Sequence, residues 1–507
     1  MEAGEGTKGE EYSDYVFSAA HNNIISVAVL DAGADPKSLA KAQSSPDWPC
    51  WKEAMDHELT TLKKAGTWID MPHPTDKNIV SSKWVYHIKR KADRSIDKYK
   101  ARLIARGFMQ IYGMDYFTTF SPVAKLSSFC TILALAARHD WEIESFDFDA
   151  AYLNGKLDDD EEIYMHPPPG YNSDPNTVKR LCKALYGLKQ AGWKWYDTLS
   201  HALADIGFSV SQADPGVFIA KIGEDILILA VHVDDCVFMG SSASLIEEYK
   251  EKINSCYAFT DLGLINWLLE IRVTRNRAER TISLSQTAYI NSILSHFTLA
   301  DVKPCTSPMV PGFVYTKDHS PSSPKEATQM KKTLYHEAIG SLMYVAVATC
   351  PDIAFAVSAL SQFLSNPGRA HWEAVKCVFK YLSSMKTLEL TYGSKQHGLE
   401  GYTDADSATQ EHRHAMSGYA FLIDGGAVSW SSRKQELVTL STAEVENIAA
   451  THAAKEAIWL HKLIGKLFPH LLMPTPLHCN NQATLKLATD DNYHARTKHI
   501  DIRYHFI

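Results

Sequence analysis

Two adjacent aspartates, Asp234 and Asp235, follow a continuous apolar run, Ile226–Val233, and precede a second one, Cys236–Gly240. That pattern reads as strand, tight turn, strand. Aspartate suits a turn for purely local reasons. A strand that is apolar on both faces and ends in two carboxylates also concentrates negative charge beside a core, at a cost unless a cation neutralises it. Mg²⁺ selects oxygen ligands and commonly takes one or two carboxylates plus substrate phosphates. A further ligand lies on Ser145–Asp149, where alternation puts Asp147 and Asp149 on one face. One of them beside Asp234 would form a two-metal clamp for in-line phosphoryl transfer. Lys100 and Arg102 are two residues apart and share a strand face. They suit either a grip on a triphosphate or a solvated basic strand.

A second set of carboxylates lies in the last hundred residues. Asp404 ends the strand-like Gly401-Tyr402-Thr403-Asp404, where a plain loop aspartate is the simpler reading. Ser441-Thr442-Ala443-Glu444 has capping-box spacing, which gives Glu444 a structural task and leaves Glu446 as the catalytic candidate on the same helix.

The elements that must position these groups follow from periodicity. Trp51, Met55, Leu59 and Leu62 recur at helical spacing after Asp47. Alternation at Trp84–Ile88 and Tyr99–Ile104 predicts strands flanking a basic hairpin tip at 89–95. Residues 123–140 read as helix, Glu142–Phe148 as strand, and 177–208 as helical in its second part. Residues 312–328, rich in Pro, Ser and Lys, read as a linker, and 336–386 as a helical block. The tail reads strand, hairpin, long helix, strand, helix, with Asp424-Gly425-Gly426 as the hairpin turn.

At 507 residues the chain is long enough for three or four domains. Its 45% apolar and 22% charged residues exclude disordered, collagenous and coiled-coil classes. The net charge of −8 hides a strong asymmetry: residues 1–60 hold eleven acids against four bases, and 77–110 hold ten bases against two acids. Nine scattered cysteines without a CxxC pair suit reduced thiols and argue against a zinc knuckle. No apolar run approaches the roughly 18 residues of a membrane span, and the acidic start is unlike a signal peptide. The expectation is a soluble intracellular protein without a membrane partner.

Ordered motifs then carry a resemblance. KYKARLIARGF (98–108), FSPVAKL (120–126), FDFDAAYLNG (146–155), IYMHPPPGY (163–171), KALYGLKQAGWKWY (183–196) and AVHVDDC (230–236) are followed by SLSQTAYI (283–290) and GSLMYVAVATCPDIAFAV (340–357). YTDAD (402–406), AVSWSSRKQ (427–435) and RTKHIDIRYHFI (496–507) complete the series. The succession over 46–507 resembles the polymerase region of copia-type LTR retrotransposons, reverse transcriptase followed by RNase H. The family's gag, protease and integrase parts have no counterpart in it.

The resemblance implies an α+β fold: a right-hand reverse transcriptase with fingers, palm and thumb, a helical connection and an RNase H-like α/β domain. Its expected boundaries are a poorly ordered lead at 1–45, fingers and palm at 46–265, and a thumb with the Pro/Ser-rich linker at 266–335. The connection would span 336–395, and the RNase H-like domain 396–507, cut short at its C-terminus. Asp147, Asp234 and Asp235 match the catalytic and metal-holding aspartates, and Asp149 falls where the family commonly has a non-acidic residue. Tyr152 matches the bulky side chain that rejects a ribose 2′-hydroxyl, Gln190 the glutamine near the incoming nucleotide, and Lys100 and Arg102 the strand that holds its phosphates. Asp404 and Glu446 match RNase H metal ligands, with Asn480 in place of the next aspartate; Asp501 could substitute as a donor, although its segment is not the metal site in the family. His232 replaces a usual Tyr, Glu270 a usual Gly, Ser407 a usual Trp and Asn447 a usual Tyr. The implied function is RNA-directed DNA polymerase with two Mg²⁺ (or Mn²⁺), an RNA template, a DNA primer and dNTPs, with RNase H activity lost or severely reduced. The alternative is an inactive transposon relic that at most binds nucleic acid, and a stand-alone hybrid nuclease is disfavoured by Asn480. Cytoplasmic particles, with the nucleus second, are the expected location.

Overall fold

The computed structural model describes residues 35–485 apart from 91–94, 159, 172–173, 175, 394–396, 407–413, 437–440, 469–473 and 483. The described chain forms two compact units, both α+β. Among the described residues, the first holds 35–124 together with Glu142–Leu264, and the second holds Lys125–Trp141 and the chain from Ile265. The motif at 496–507, Asp501 and Ser407 lie outside the described residues. Among the described residues no helix is long and apolar enough to cross a membrane.

The first unit is built around six strands in the order Phe259–Leu264, Glu142–Phe148, Asp235–Gly240, Asp225–His232, Val217–Ile222 and Ser209–Val210. Every neighbouring pair is antiparallel. The continuous apolar run fits a central strand, because Leu227, Ile228, Leu229 and Ala230 are all buried. Helices Ala191–Asp205 and Ala243–Asn254 supply Trp195, Leu199, Ile246 and Ile253 to the core that holds Phe146, Phe148 and Phe238. Burial of each such large apolar side chain stabilises the fold by roughly 1.5–3 kcal/mol.

A separate core in the same unit follows the helix Trp48–Lys64, whose buried face is Trp51, Met55, Leu59 and Leu62. It covers the two-stranded ribbon Ser82–Arg90 and Ile96–Ala105, with Trp51 set edge-on to Tyr86 and Tyr99 at ring separations of 5.2 and 4.8 Å. Residues 35–45, expected as part of a loose lead, instead include a short helix, Leu39–Gln43, capped by Ser38 and buried at Ala42. Asp35 also binds the ribbon, accepting from the Ile88 N–H at 3.1 Å. Local composition concealed these tertiary anchors.

In the second unit, helix Leu126–His139 has eleven of its fourteen residues buried. Arg138 Nε donates to Asp424 Oδ2 at 2.7 Å in the turn between Met416–Ile423 and Gly426–Lys434. Those two strands continue into a sheet with Glu400–Asp406 and, in parallel, Leu477–Cys479. The long helix Thr442–Leu467 packs on this sheet, capped by Ser441 through the Glu444 N–H. A further four-stranded sheet joins Trp267–Leu268, Ile271–Asn276, Thr281–Ser285 and Leu390–Tyr392. Helices Thr287–His296, Tyr335–Ala348, Ala354–Ser361 and Arg369–Met385 share one apolar core. Residues 312–328, read as a linker, are in part packed: Tyr315 is buried in that core and Pro324–Met330 is a short helix. A single well-placed aromatic outweighs the loop-like composition around it.

Candidate active site

The hairpin of Asp225–His232 and Asp235–Gly240 closes on Val233 and Asp234, with His232 opposite Asp235. Val233 has φ 68°, a left-handed conformation that is costly for a β-branched residue, of order 1–3 kcal/mol. Two bonds hold the turn: Trp195 Nε1 donates to the Val233 carbonyl at 2.8 Å, and the Phe148 N–H to the Asp234 carbonyl at 3.1 Å. Strand pairing places Asp147 opposite Asp235. Asp147 and Asp234 are close enough to couple: burial first, then the Asp234 charge, pushes the Asp147 carboxyl above its ordinary value. Asp147 Oδ1 is buried without a hydrogen-bond partner. Asp149 turns aside, its Oδ1 accepting from Thr260 Oγ1 at 3.1 Å, so the strand pairing distinguishes the two alternatives in favour of Asp147.

Cations face these acids. Burial, with Arg102 and Lys89 nearby, lowers the Lys100 ammonium to about 8, while Asp147 and Asp234 oppose that shift. The Arg102 guanidinium lies 4.7 Å from the ring centre of Tyr186, and Tyr186 meets Tyr152 edge-on at 4.8 Å. Burial, reinforced by Asp234, pushes the Tyr152 hydroxyl up to about 12. Asp147, Asp234, Asp235, Lys100, Arg102 and Tyr152 therefore belong to one neighbourhood. Tyr186 and Trp195 belong to it as well and were not singled out from sequence. For Tyr186 the signal was its place before Gly187, which adopts φ 88° and where an added Cβ would meet the Ala105 carbonyl at 2.2 Å.

Gln190 is different. It is wholly buried, accepting from Gln110 Nε2 at 3.0 Å and donating to the Asp115 carbonyl at 2.8 Å. Its amide is spent on positioning the segment around 107–116. A separate acidic group, Glu144, Glu247 and Asp261, is spaced for a cation. The nearly buried Lys250 already pairs there with Glu144 and, at 2.8 Å, with Asp261.

Residues 65–311 match the reverse transcriptase (RNA-dependent DNA polymerase) family. The chain is 39% identical over 477 residues to the retrovirus-related Pol polyprotein from transposon TNT 1-94 of Nicotiana tabacum, covering 93% of this chain and 36% of that one. A transposon Ty5-1 protein of Saccharomyces cerevisiae is 31% identical over 320 residues, 61% of this chain and 99% of its own length. This chain belongs to the copia-type retrotransposon Pol family. It spans about a third of the length of the Pol polyproteins it matches from tobacco and Arabidopsis thaliana. A solved foamy viral protease–reverse transcriptase in complex with double-stranded DNA covers 89% of this chain and 67% of its own, at 11% identity and a TM-score of 0.46.

The copia-type chain carries its second acidic group between the inner strand Glu400–Asp406 and the long helix that packs on it. Asp404 is exposed on Glu400–Asp406, and Asn480 Nδ2 donates to Asp404 Oδ1 at 3.1 Å. Glu446 is buried, its Oε2 lacks a partner, and burial followed by the Asp404 charge pushes its carboxyl up to about 7. Next to it, Asn447 is fully buried with neither side-chain amide atom hydrogen-bonded. Glu270 sits in a two-residue hairpin turn with Leu269, at φ 62° and 48°, where glycine or asparagine is the unstrained choice. Tyr344 donates its hydroxyl to the Leu269 carbonyl and anchors that turn.

Proposed function

We propose that the chain is an RNA-directed DNA polymerase extending a DNA primer with dNTPs by two-metal nucleotidyl transfer. The observation that carries this reading is the meeting of Asp147 with Asp234 and Asp235 around an orphaned buried carboxylate oxygen, beside Lys100 and Arg102. An all-oxygen donor set of this kind fits Mg²⁺ or Mn²⁺, which Asp147, Asp234 and Asp235 would hold. Such a pair of ions, when bound, supplies activation of the primer 3′-hydroxyl and neutralisation of the charge building on pyrophosphate.

The chain's own residues do the rest of the work. Lys100 would offer its ammonium to the triphosphate, whose negative charge favours the charged form against the desolvation that burial imposes. Arg102 offers its planar fork to a phosphate while its other face rests on Tyr186. Tyr152, braced by Tyr186, stands against the sugar and disfavours a 2′-hydroxyl. Extension of a DNA primer on an RNA template with Mg²⁺ is the test: product from the native chain and none from Asp234→Asn. Absence of product from the folded native chain would leave the inactive relic as the better reading. Strained Glu270 and the unpaired Asn447 amide favour that second reading.

We also infer that the second unit's acidic group descends from an RNase H site and no longer cuts. Asn480 brings an amide donor, with no negative charge, against Asp404, and that donor set does not fit two divalent ions. A labelled RNA–DNA hybrid should stay uncut. Efficient cutting that vanishes in Glu446→Gln would overturn this reading.

A further inference from the structure

Cysteines are scattered singly along the sequence, yet folding brings two of them, Cys305 and Cys377, together in the second unit. Cys377 lies on helix Arg369–Met385, and Lys380 and Ser384 follow it at helical spacing on the same face. Residues 304–308 run against that face. The Cys305 N–H donates to the Lys380 carbonyl at 3.3 Å, and Ser384 Oγ donates to the Cys305 carbonyl at 3.1 Å. Two residues on, the Ser307 carbonyl accepts from Cys377 Sγ at 3.7 Å. Pro304 and Pro308 flank the segment and restrict its backbone, and Met309 beyond it packs on the helical core. The positions of both cysteines are thus fixed by bonds that do not depend on each other's sulfur. In that setting the two thiols are hydrogen-bonded to one another.

The chemistry open to this pair is narrow. A bound metal ion would need further donors, and among the described residues no third cysteine, histidine or carboxylate completes a cluster here. A catalytic nucleophile would need a lowered thiol, whereas burial, reinforced by Cys305 and opposed by Lys380, holds the Cys377 thiol above its ordinary value. Closure on each other needs neither. Each sulfur already lies beside the one it would bond, and both cysteines are only partly buried, so a small molecule can reach them. Cys130 and Cys236, by contrast, are buried.

We propose that Cys305 and Cys377 form a reversible disulfide latch whose oxidant is a low-molecular-weight disulfide. One cysteine, as thiolate, attacks a sulfur of that disulfide and expels a small thiolate, which takes up the proton that the cysteine released. The other cysteine then attacks the protein sulfur of the mixed disulfide, and the second small thiol leaves with its proton. One S–S bond breaks for each that forms, and two electrons pass from the protein to the small disulfide. Closed, the latch encloses helices Tyr335–Ala348 and Ala354–Ser361 in one covalent loop. That loop restricts the unfolded chain far more than a folded chain in which the segment is already docked. The latch is independent of the polymerase reading.

The full chain, incubated with oxidised glutathione and then treated to block free thiols, tests it through peptide mass spectrometry and thermal unfolding. The main disulfide product should be a linked peptide joining 305 to 377. Its formation should raise the unfolding midpoint of the second unit by about 5 °C, and dithiothreitol should reverse the rise. Cys305→Ser and Cys377→Ser nearly preserve side-chain size, and neither should show the rise. Each should instead keep glutathione on the remaining cysteine of the pair, because the thiol that would expel it is missing. Glutathione confined to the exposed Cys50, Cys182 and Cys256, with no 305–377 link in the native chain, would overturn the proposal. So would a linked peptide that leaves the midpoint unchanged, since the bond would then hold nothing in place.

Discussion

In the first unit, Asp147 keeps a buried oxygen unpartnered and faces Asp234 and Asp235; in the second unit's acidic pair, Asp404 already accepts a hydrogen bond from the Asn480 amide, and Glu446 keeps an orphaned oxygen. The surroundings differ in the same sense. The Lys100 and Lys89 charges oppose the rise of Asp147, whereas burial and Asp404 raise Glu446 with a backbone N–H from Ala405 opposing them. The first arrangement keeps a repulsion between Asp147 and Asp234 that a bound cation would relieve. The second has relieved part of its repulsion internally and has correspondingly less to gain from a metal.

Breaking the comparison starts with the largest effect. Asp147→Asn should reduce primer extension by about 10³-fold or more, while Asp404→Asn leaves it within about twofold. Comparable losses from both would mean that the groups do not act separately. Restoring a carboxylate with Asn480→Asp should let saturating Mg²⁺ stabilise the second unit by about 2 kcal/mol, an increment small or missing in the native chain. Thermal unfolding with and without Mg²⁺ measures it.

A smaller effect separates the groups by pH. Glu446 holds its proton up to about 7 when folded, against an ordinary value of 4.5. Between those limits the folded chain binds more protons than the unfolded one, so this residue makes stability fall as pH rises from 4.5 to 7 and adds no further slope above. Glu446→Gln should flatten that slope in denaturation midpoints taken across the interval, and an unchanged slope would assign it elsewhere. Smallest is Glu270→Gly, which removes a side chain from a left-handed position and should add about 1 kcal/mol, read as a higher denaturant midpoint at constant steepness.

Much of this is legible in the amino-acid sequence. The helix face Trp51, Met55, Leu59 and Leu62, the hairpin ending in Asp234 and Asp235, and the hairpin around Asp424 all follow from periodicity and turn chemistry, because local patterns dictate them. Alternation could bring Asp147 and Asp149 to one face without choosing between them; the choice needed a partner strand. Gln190 and Tyr186 both lie in the motif at 183–196, yet spacing says nothing about which side chain turns inward. The packed Tyr315 and the short helix at 39–43 were hidden because their partners are far away in sequence.

Helix Leu126–His139 has a consequence for how the chain can be divided. Chain order puts it between segments of the first unit, while its Arg138 is tied to Asp424 and its body packs on strands Thr281–Ser285, Leu390–Tyr392 and Gly426–Lys434. The polypeptide therefore passes between units at 124, 141 and 264, and no single cut separates them. A fragment ending at Leu264 would carry an apolar helix stripped of those partners, inviting aggregation. Recombination that exchanged everything beyond that point for a diverged relative's would have to match a helix inherited from the other parent. Inheritance of these two units is thus linked by topology, whatever the fate of their separate chemistries.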